Sequence, residues 1–410
     1  MRPLVDAQRA VLAAVKRLPV MAMGLREARG LTLAEAVTAP HDIPPFPNSA
    51  MDGYAVRAAD VSDVPVVLNV LEDLPAGTVP RESVGPGTAV KIMTGAPMPD
   101  GADAIVPVEA TDAGSTTVEI RERALAGDHV RLAGGDVVAG TVVLEPGIRL
   151  TAAHLGVLAS VGAAWPHVHR RPLVGILSTG DELVPPETMN LERGKIRDSN
   201  RISLRHVVEE AGAVAVDFGI APDDPVVLRR ALGHAAQECD LVVTSGGVSM
   251  GEYDLVKQVL GELGGVDFWK VAMQPGKPFA FGDLDGTPFF GLPGNPVSVM
   301  VSFEQFVRPS IMKLLGSAAL FRPRIAGTMT QDVVTNPAKT VFVRVATSNG
   351  SNGWEATPSG AQGSNVLSAL AAADAFAVVD VGRGVVEAGE TVPLEMIRWP
   401  ESRTAEEALA

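Results

Sequence analysis

The 410 residues, 46% hydrophobic and 20% charged with a formal net charge of -14, exceed what one hydrophobic core serves and point to about three domains. So acidic a chain is excluded as a general nucleic-acid or membrane-surface binder, which needs a positive stripe to displace counterions, and any anionic ligand must be held by local groups. Cys239 is the single cysteine, which rules out a disulfide framework within the chain and a thiolate metal cage, and suits a reducing cytosol.

At the N-terminus Asp6, Gln8 and Arg9 interrupt the first apolar run, so no signal peptide is expected. No segment approaches the ~20 apolar residues of a membrane span, and the expected location is the cytoplasm. Residues 1–42 read as helical: Leu4, Val11, Val15 and Leu18 share one helical face, and residues 32–37 form a second helix that Pro40 stops. From 43 to 137 the texture changes to short β-rich runs at 66–70, 89–93, 104–108 and 116–120, separated by Pro, Gly and Asp. A helix over 151–161 has an apolar face suited to the N-terminal helices. That makes 43–137 a β-rich insertion in an elongated helical unit of 1–42 plus 138–170.

Residues 171–318 have another rhythm. Apolar runs at 173–177, 214–220, 241–243 and 289–292 alternate with helical stretches at 199–211, 225–237, 255–263 and 296–315. Strands apolar on both faces, alternating with helices, indicate a parallel α/β sheet. Residues 319–410 return to β-rich runs at 324–329, 341–346, 375–379 and 391–397, the pattern of a small C-terminal β-barrel or sandwich. The expected fold class is therefore multidomain α/β, with a barrel at the C-terminus.

The chemistry concentrates where strands end. The run TSGGVSMGEYD at 244–254 follows an apolar strand and precedes a helix. Gly246 and Gly247 let the backbone approach a phosphate, Ser245 and Ser249 add hydroxyl donors, and successive amides form an anion nest. Glu252 and Asp254 would repel a bare phosphate, so Mg²⁺ between them and the ligand is expected; Asp254 as a simple helix cap is the alternative. The run STGDE at 178–182, with Gly180 and Glu182, ends a second strand facing the same crevice. Asp198 or Ser199, and Asp223 or Asp224 before Pro225, read equally well as helix starts. Lys270 and Lys277 stand out in an acidic chain as point charges for a phosphate or oxyanion. Pro293, Gly294, Asn295 and Ser298 form a third strand-to-helix corner. In the insertion, Asp52 lies in NSAMDGYA and Thr94 in MTGAP, either of which alone is also an ordinary turn.

Taken together, NSAMDGYAVR, KIMTGAPMPDGAD, STGDEL, TSGGVSMGEYD, FWKVAMQPGKPFAFG and GLPGNPVS closely resemble the molybdopterin molybdenumtransferase (MoeA) family, related to the E domain of gephyrin. The match is collinear from about Asn48 to Pro309 and looser over the last ninety residues. The resemblance implies a parallel α/β molybdopterin-binding domain and a late step of molybdenum cofactor synthesis. In that step adenylylated molybdopterin and molybdate become molybdenum cofactor and AMP, with Mg²⁺. It implies that Ser245, Gly246, Gly247 and Ser249 hold the nucleotide phosphates and that Asp254 and Glu252 ligate the metal. Glu182, Asp224 and Lys270 match charged positions of the site. Asp52, Thr94 and Asp136 reach it from the insertion, over a partner's crevice in a homodimer. Lys277, Ser298, Arg344 and Ser364 lie where molybdate is expected.

Three positions depart from the family pattern: Gly135 beside Asp136 lacks a carboxylate, Gln274 replaces a lysine, and Asn365 replaces a glycine after Ser364. The alternatives are a molybdopterin adenylyltransferase, which is shorter and lacks the insertion, and a catalytically silent cofactor-binding scaffold. Expected protein partners are molybdopterin adenylyltransferase and cofactor-free molybdoenzymes.

Overall fold

The computed structural model describes residues 1–247, 255–350 and 353–399. Its centre is a six-stranded sheet in the order Val214–Ala221, Leu173–Thr179, Leu241–Ser245, Thr287–Leu292, Pro278–Leu284, Val266–Lys270. The first four strands are parallel, as the doubly apolar runs lead one to expect. The last two join antiparallel, so the sheet is mixed at one edge. Alternation along the strands divides the core in two. Val174, Ile176, Leu241, Val243, Phe290 and Leu292 face one cluster, and Leu177, Val242 and Phe289 face the other.

Helices cover both faces. Pro225–Glu238 starts with Asp224 as N-cap and proline at its first position, and buries Leu228, Leu232 and Ala235, a stripe at helical spacing. The stretch read as one helix over 296–315 is Pro296–Ser302, a π-helical segment Phe303–Val307, and Arg308–Leu314. Phe306 from the π segment stacks on Phe279 of the sheet, with ring centroids 4.3 Å apart.

Leu4–Ala14 is helical as expected, but it packs on this central core rather than on a separate N-terminal unit. Leu4, Ala7 and Val11 share the cluster that contains Val271, Phe303 and Ile311, and the Gln8 amide donates to Gln305 Oε1 at 3.1 Å. Residues 32–37 are not a helix. Thr32–Leu33 pairs with His167–His169, and Val37–Thr38 with Val142–Leu144. Ladder hydrogen bonds to distant strands, with β-branched Thr and Val fitting the pleat, override the local helix preference of Ala34, Glu35 and Ala36. The two halves do share one core, through Ala28, Leu31, Leu33, Leu144, Leu150, Leu158 and Val168. The N-terminal unit is therefore mixed helix and strand.

The insertion holds a five-stranded sheet in the order Ala104–Pro107, Gly53–Val56, Thr88–Ile92, Val66–Leu74, Thr117–Ile120, all four expected runs lying within it. At the C-terminal end Thr340–Gly350, Gly353–Pro358, Arg324–Met329, Thr391–Met396 and Ala375–Val379 pair in turn, and the last closes on the first. This is a five-stranded barrel. One short strand of the central unit, Met273–Gln274, pairs in parallel with Thr340–Gly350. On the opposite side, Glu395 of the barrel accepts from Gln305 at 2.6 Å and from Arg324 at 2.8 Å. Among the described residues no helix is long and apolar enough to cross a membrane.

Candidate functional site at the carboxyl ends of the parallel strands

The parallel strands end at Thr179, Ala221, Ser245 and Leu292, where ligands of open α/β sheets bind. Gly246 and Gly247 turn the chain away with φ of +95° and +69°. At Gly246 a Cβ would lie 2.7 Å from the Thr179 carbonyl oxygen, so only glycine fits without displacing backbone. The Gly246 N–H donates to the Leu292 carbonyl at 3.1 Å. The expected nest of successive amides therefore loses that donor, and among the described residues Gly247 is the one amide of the pair left to a ligand. Beneath the loop the hydroxyls of Ser178, Thr179 and Thr244 are buried without hydrogen-bond partners among the described residues.

Asn200, at the start of helix Asn200–Glu210, was not singled out in the sequence, yet it joins two of the expected loops. Its Nδ2 donates to Ser245 Oγ at 2.8 Å and to the Gly294 carbonyl at 2.7 Å. The next residue of that corner, Asn295, donates to Ser364 Oγ at 3.0 Å, and the Val297 N–H donates to the Ser364 carbonyl at 3.0 Å. Arg344 completes the row, its Nη2 donating to the Ala361 and Gly363 carbonyls at 2.9 and 3.2 Å. A polar row thus runs from the Ser-Gly-Gly loop to the barrel.

Arg344 is fully buried, and among the described residues its Nε and Nη1 have no partner. Burial pulls its pKa down. Ser298 is also buried, one turn into the adjoining helix, while Pro293 closes the strand end. Lys277 and Lys270 are exposed, and neither forms an ion pair among the described residues. The loop carrying Lys277 is fixed at Gly276, whose φ is +99° and whose added Cβ would meet Ser302 Oγ at 2.7 Å. Gln274 is exposed in the strand that pairs with the barrel. Asn365 lies outside the left-handed region, so the departure from glycine there needs no unusual backbone.

The acidic residues divide. The Asp223 N–H donates to Asp181 Oδ1 at 3.0 Å, tying the first two strand ends together. Glu182 is exposed and folds its carboxylate back over Gly180, whose φ is +143°. Asp224 caps its helix, with Oδ1 accepting from Val226 and Val227 N–H at 2.8 and 2.9 Å. Asp198, rather than Ser199, holds the start of Asn200–Glu210, accepting from Arg201 N–H at 3.1 Å and from its guanidinium at 3.0 Å. A cavity of about 540 Å³ opens beside these ends, walled by Gly180, Leu183, Lys195, Arg201 and Pro222.

The inserted domain presents its own pair. Asp52 Oδ1 accepts from the Thr94 N–H at 2.7 Å and from the Thr94 hydroxyl at 2.8 Å. The backbone donor first, then the hydroxyl, hold this exposed carboxyl below its ordinary pKa. Asp136 is exposed, with its N–H on the Ile43 carbonyl at 2.9 Å. Among the described residues no hydrogen bond or ion pair links Asp52, Thr94 or the Asp136 side chain to the strand-end loops of the same chain. Ser249, Glu252 and Asp254 lie outside the described residues. Among the described residues no three His, Cys, Asp or Glu side chains converge on a metal position.

Three family descriptions match the chain in order: MoeA N-terminal region (domain I and II) over residues 2–162, probable molybdopterin binding domain over 175–313, and MoeA C-terminal region (domain IV) over 326–397. Molybdopterin molybdenumtransferase 2 of Mycobacterium tuberculosis is 45% identical over 84% of this chain and 87% of its own length. The molybdopterin molybdenumtransferase of Haemophilus influenzae is 40% identical over 91% and 93%. A crystal structure of the molybdopterin biosynthesis moeA protein from Pyrococcus horikoshii OT3 superposes with a TM-score of 0.83 at 29% identity, covering 97% of this chain and all of that one. Identity at this level over nearly the whole of both chains places the protein in the molybdopterin molybdenumtransferase (MoeA) family.

Proposed function

We propose that the protein inserts molybdenum into molybdopterin, taking adenylylated molybdopterin and molybdate as substrates and releasing AMP. The observation that carries this reading is Arg344: an enclosed guanidinium with two nitrogens unpartnered among the described residues, on the loop row that also holds Ser364 and Asn295. A buried cation of this kind costs several kcal/mol unless an anion joins it, and a divalent oxyanion such as molybdate matches it. Lys277 follows Gly276, which lies against Ser302 of the helix that bears Ser298; the lysine supplies a second charge and Ser298 a hydroxyl. Gly247 and Ser245 receive the nucleotide phosphate at the other end of the polar row. Water adding to phosphorus breaks the bond between the two phosphates and gives AMP and the phosphorylated pterin; in a separate exchange the two dithiolene sulfurs replace oxygen on molybdate, which leaves as water. Glu182, Asp223 and Asp224 stand at the strand ends where that water is delivered, and Lys270 contributes positive charge to the rim.

Mg²⁺ would balance phosphate charge beside carboxylates. The residues assigned to it, Asp254 and Glu252, fall outside the described part of the chain, so no step is derived through the metal. Asp52, Thr94 and Asp136 act on the site of a second copy in a homodimer, a reading supported by their exposure and by their separation from the loops of their own chain. The chain has the size and sequence balance of a cytoplasmic enzyme.

The purified protein given adenylylated molybdopterin, Mg²⁺ and molybdate is expected to release AMP and to activate a cofactor-free molybdoenzyme. Adenylate that stays intact removes the transferase reading. Formation of the adenylate from molybdopterin and ATP would favour the adenylyltransferase instead.

A further inference from the structure

Ser245 is one of the two residues that end the third parallel strand before the glycine turn, and its side chain is buried. A serine hydroxyl can donate once and accept twice. Left to rotate, it would offer an anion either a proton or a lone pair. The Asn200 amide takes one of the two lone pairs and so narrows that choice. Gly294 O can only accept, so the nitrogen of the Asn200 side chain must face it; the same Nδ2 reaches Gly294 O at 2.7 Å and Ser245 Oγ at 2.8 Å. Ser245 Oγ therefore accepts from Asn200, and among the described residues no protein acceptor takes its proton. Among those residues the proton is left available to a ligand at the strand ends.

We infer that Asn200 is a positioning residue that orients the Ser245 hydroxyl as a donor to a phosphate oxygen of the bound nucleotide. The inference rests on the reading of the Ser-Gly-Gly loop as the nucleotide phosphate site. Two features separate it from a role in folding alone. One nitrogen serves both acceptors, so the amide sets the distance between the Ser-Gly-Gly loop and the Gly294 corner at the same time as it sets the rotor. The arrangement also recurs at Asn295 and Ser364, where Nδ2 donates to Oγ at 3.0 Å. Asparagine suits the task because it donates without adding charge; aspartate in its place would accept the Ser245 proton, turn it inward and repel both the Gly294 carbonyl and a phosphate.

The test is a double-mutant cycle on AMP binding to the full-length protein, followed by titration calorimetry, with thermal unfolding measured in parallel. N200A and S245A are each expected to weaken AMP binding about tenfold, the scale of one hydrogen bond to a charged group, and N200A/S245A to be no weaker than S245A. N200D, nearly identical in shape, is expected to bind at least as poorly as N200A, and it decides the question if N200A unfolds early. An N200A effect that persists undiminished in the S245A background would mean that Asn200 acts through Gly294 alone, and overturns the inference. Equal binding by the parent and N200A overturns it too, while leaving the nucleotide site intact. If the parent protein itself does not bind AMP, the nucleotide reading fails and the inference falls with it.

Discussion

Arg344 is enclosed by protein, yet among the described residues Nε and Nη1 have no acceptor, and only Nη2 of the guanidinium is engaged, by two loop carbonyls. Replacing it with an apolar side chain of similar length relieves a desolvated charge while leaving those carbonyls short of a donor. The two effects oppose each other, so Arg344→Met is expected to unfold within about 1 kcal/mol of the parent protein. Its response to ligand should differ sharply: molybdate is expected to raise the unfolding temperature of the parent and to leave the variant unmoved. A variant that is severely destabilised but still protected by molybdate would show that Arg344 is a structural group. At this scale the sequence was partly legible. Gly246 could be found from its setting after an apolar strand, and the structure explains it by the Thr179 carbonyl lying where a side chain would go. Asn200 could not, because its partners lie 45 and 94 residues further along the chain and nothing local distinguishes it from an ordinary residue at a helix start.

Helix Pro225–Glu238 carries one of the two strand-end carboxylates in doubt, and its cap makes a clean experiment possible. Asp224→Ala removes an acceptor for two N–H groups and is expected to cost about 1 kcal/mol of stability. Asp224→Asn keeps the oxygen and should cost little. If the charge of Asp224 also serves the reaction, both variants lose AMP release, whereas a capping role alone leaves the Asn variant fully active; the first outcome is expected from its place among the charged strand ends. Strands and helices of the central unit were readable because each carries its own periodic apolar pattern. Residues 32–37 misled because pairs of two-residue strands have no period to detect, and their pairing comes from Val142–Leu144 and His167–His169 far along the chain. A strand ending at Lys270 was readable, whereas its antiparallel neighbour Pro278–Leu284 was hidden behind the proline- and glycine-bearing turn that precedes it.

Across the whole molecule, Glu395 joins the barrel to the central unit, and burial raises its pKa against the opposing pull of Arg324. A carboxyl with a raised native pKa holds its proton in the folded state after the unfolded chain has released it. Stability therefore falls as pH climbs from the ordinary glutamate range to the raised native value. Glu395→Gln, which keeps acceptors for Gln305 and Arg324 donors only in part but cannot ionise, is expected to flatten that slope in denaturant unfolding measured across the window. An unchanged slope would assign the pH dependence elsewhere. The dimer reading has its own test: D52A and K277A are each expected to be inactive, and unfolding and refolding them together should restore about a quarter of parental turnover, since half of a random mixture carries one intact shared site. No recovery would place Asp52 with its own chain's loops. The order of units along the chain was visible in the sequence, but the packing of the first helix on the central core was not, because an amphipathic helix does not reveal which core its face meets.

The short strand Met273–Gln274 is hydrogen-bonded to the barrel strand that bears Arg344, with Met273 opposite Thr340 and Gln274 opposite Val341. Lys277 follows three residues later, on a turn held against Ser302. By chain the lysine belongs to the α/β unit; by its ladder it is bolted to the barrel. Should the crevice widen or narrow about a hinge, the ladder and the Gly276 contact would strain against each other unless the Lys277 turn and the Arg344 strand shift in step. The two cations therefore share one ladder, so a displacement of the barrel strand that moves Arg344 is passed to the Lys277 turn as well.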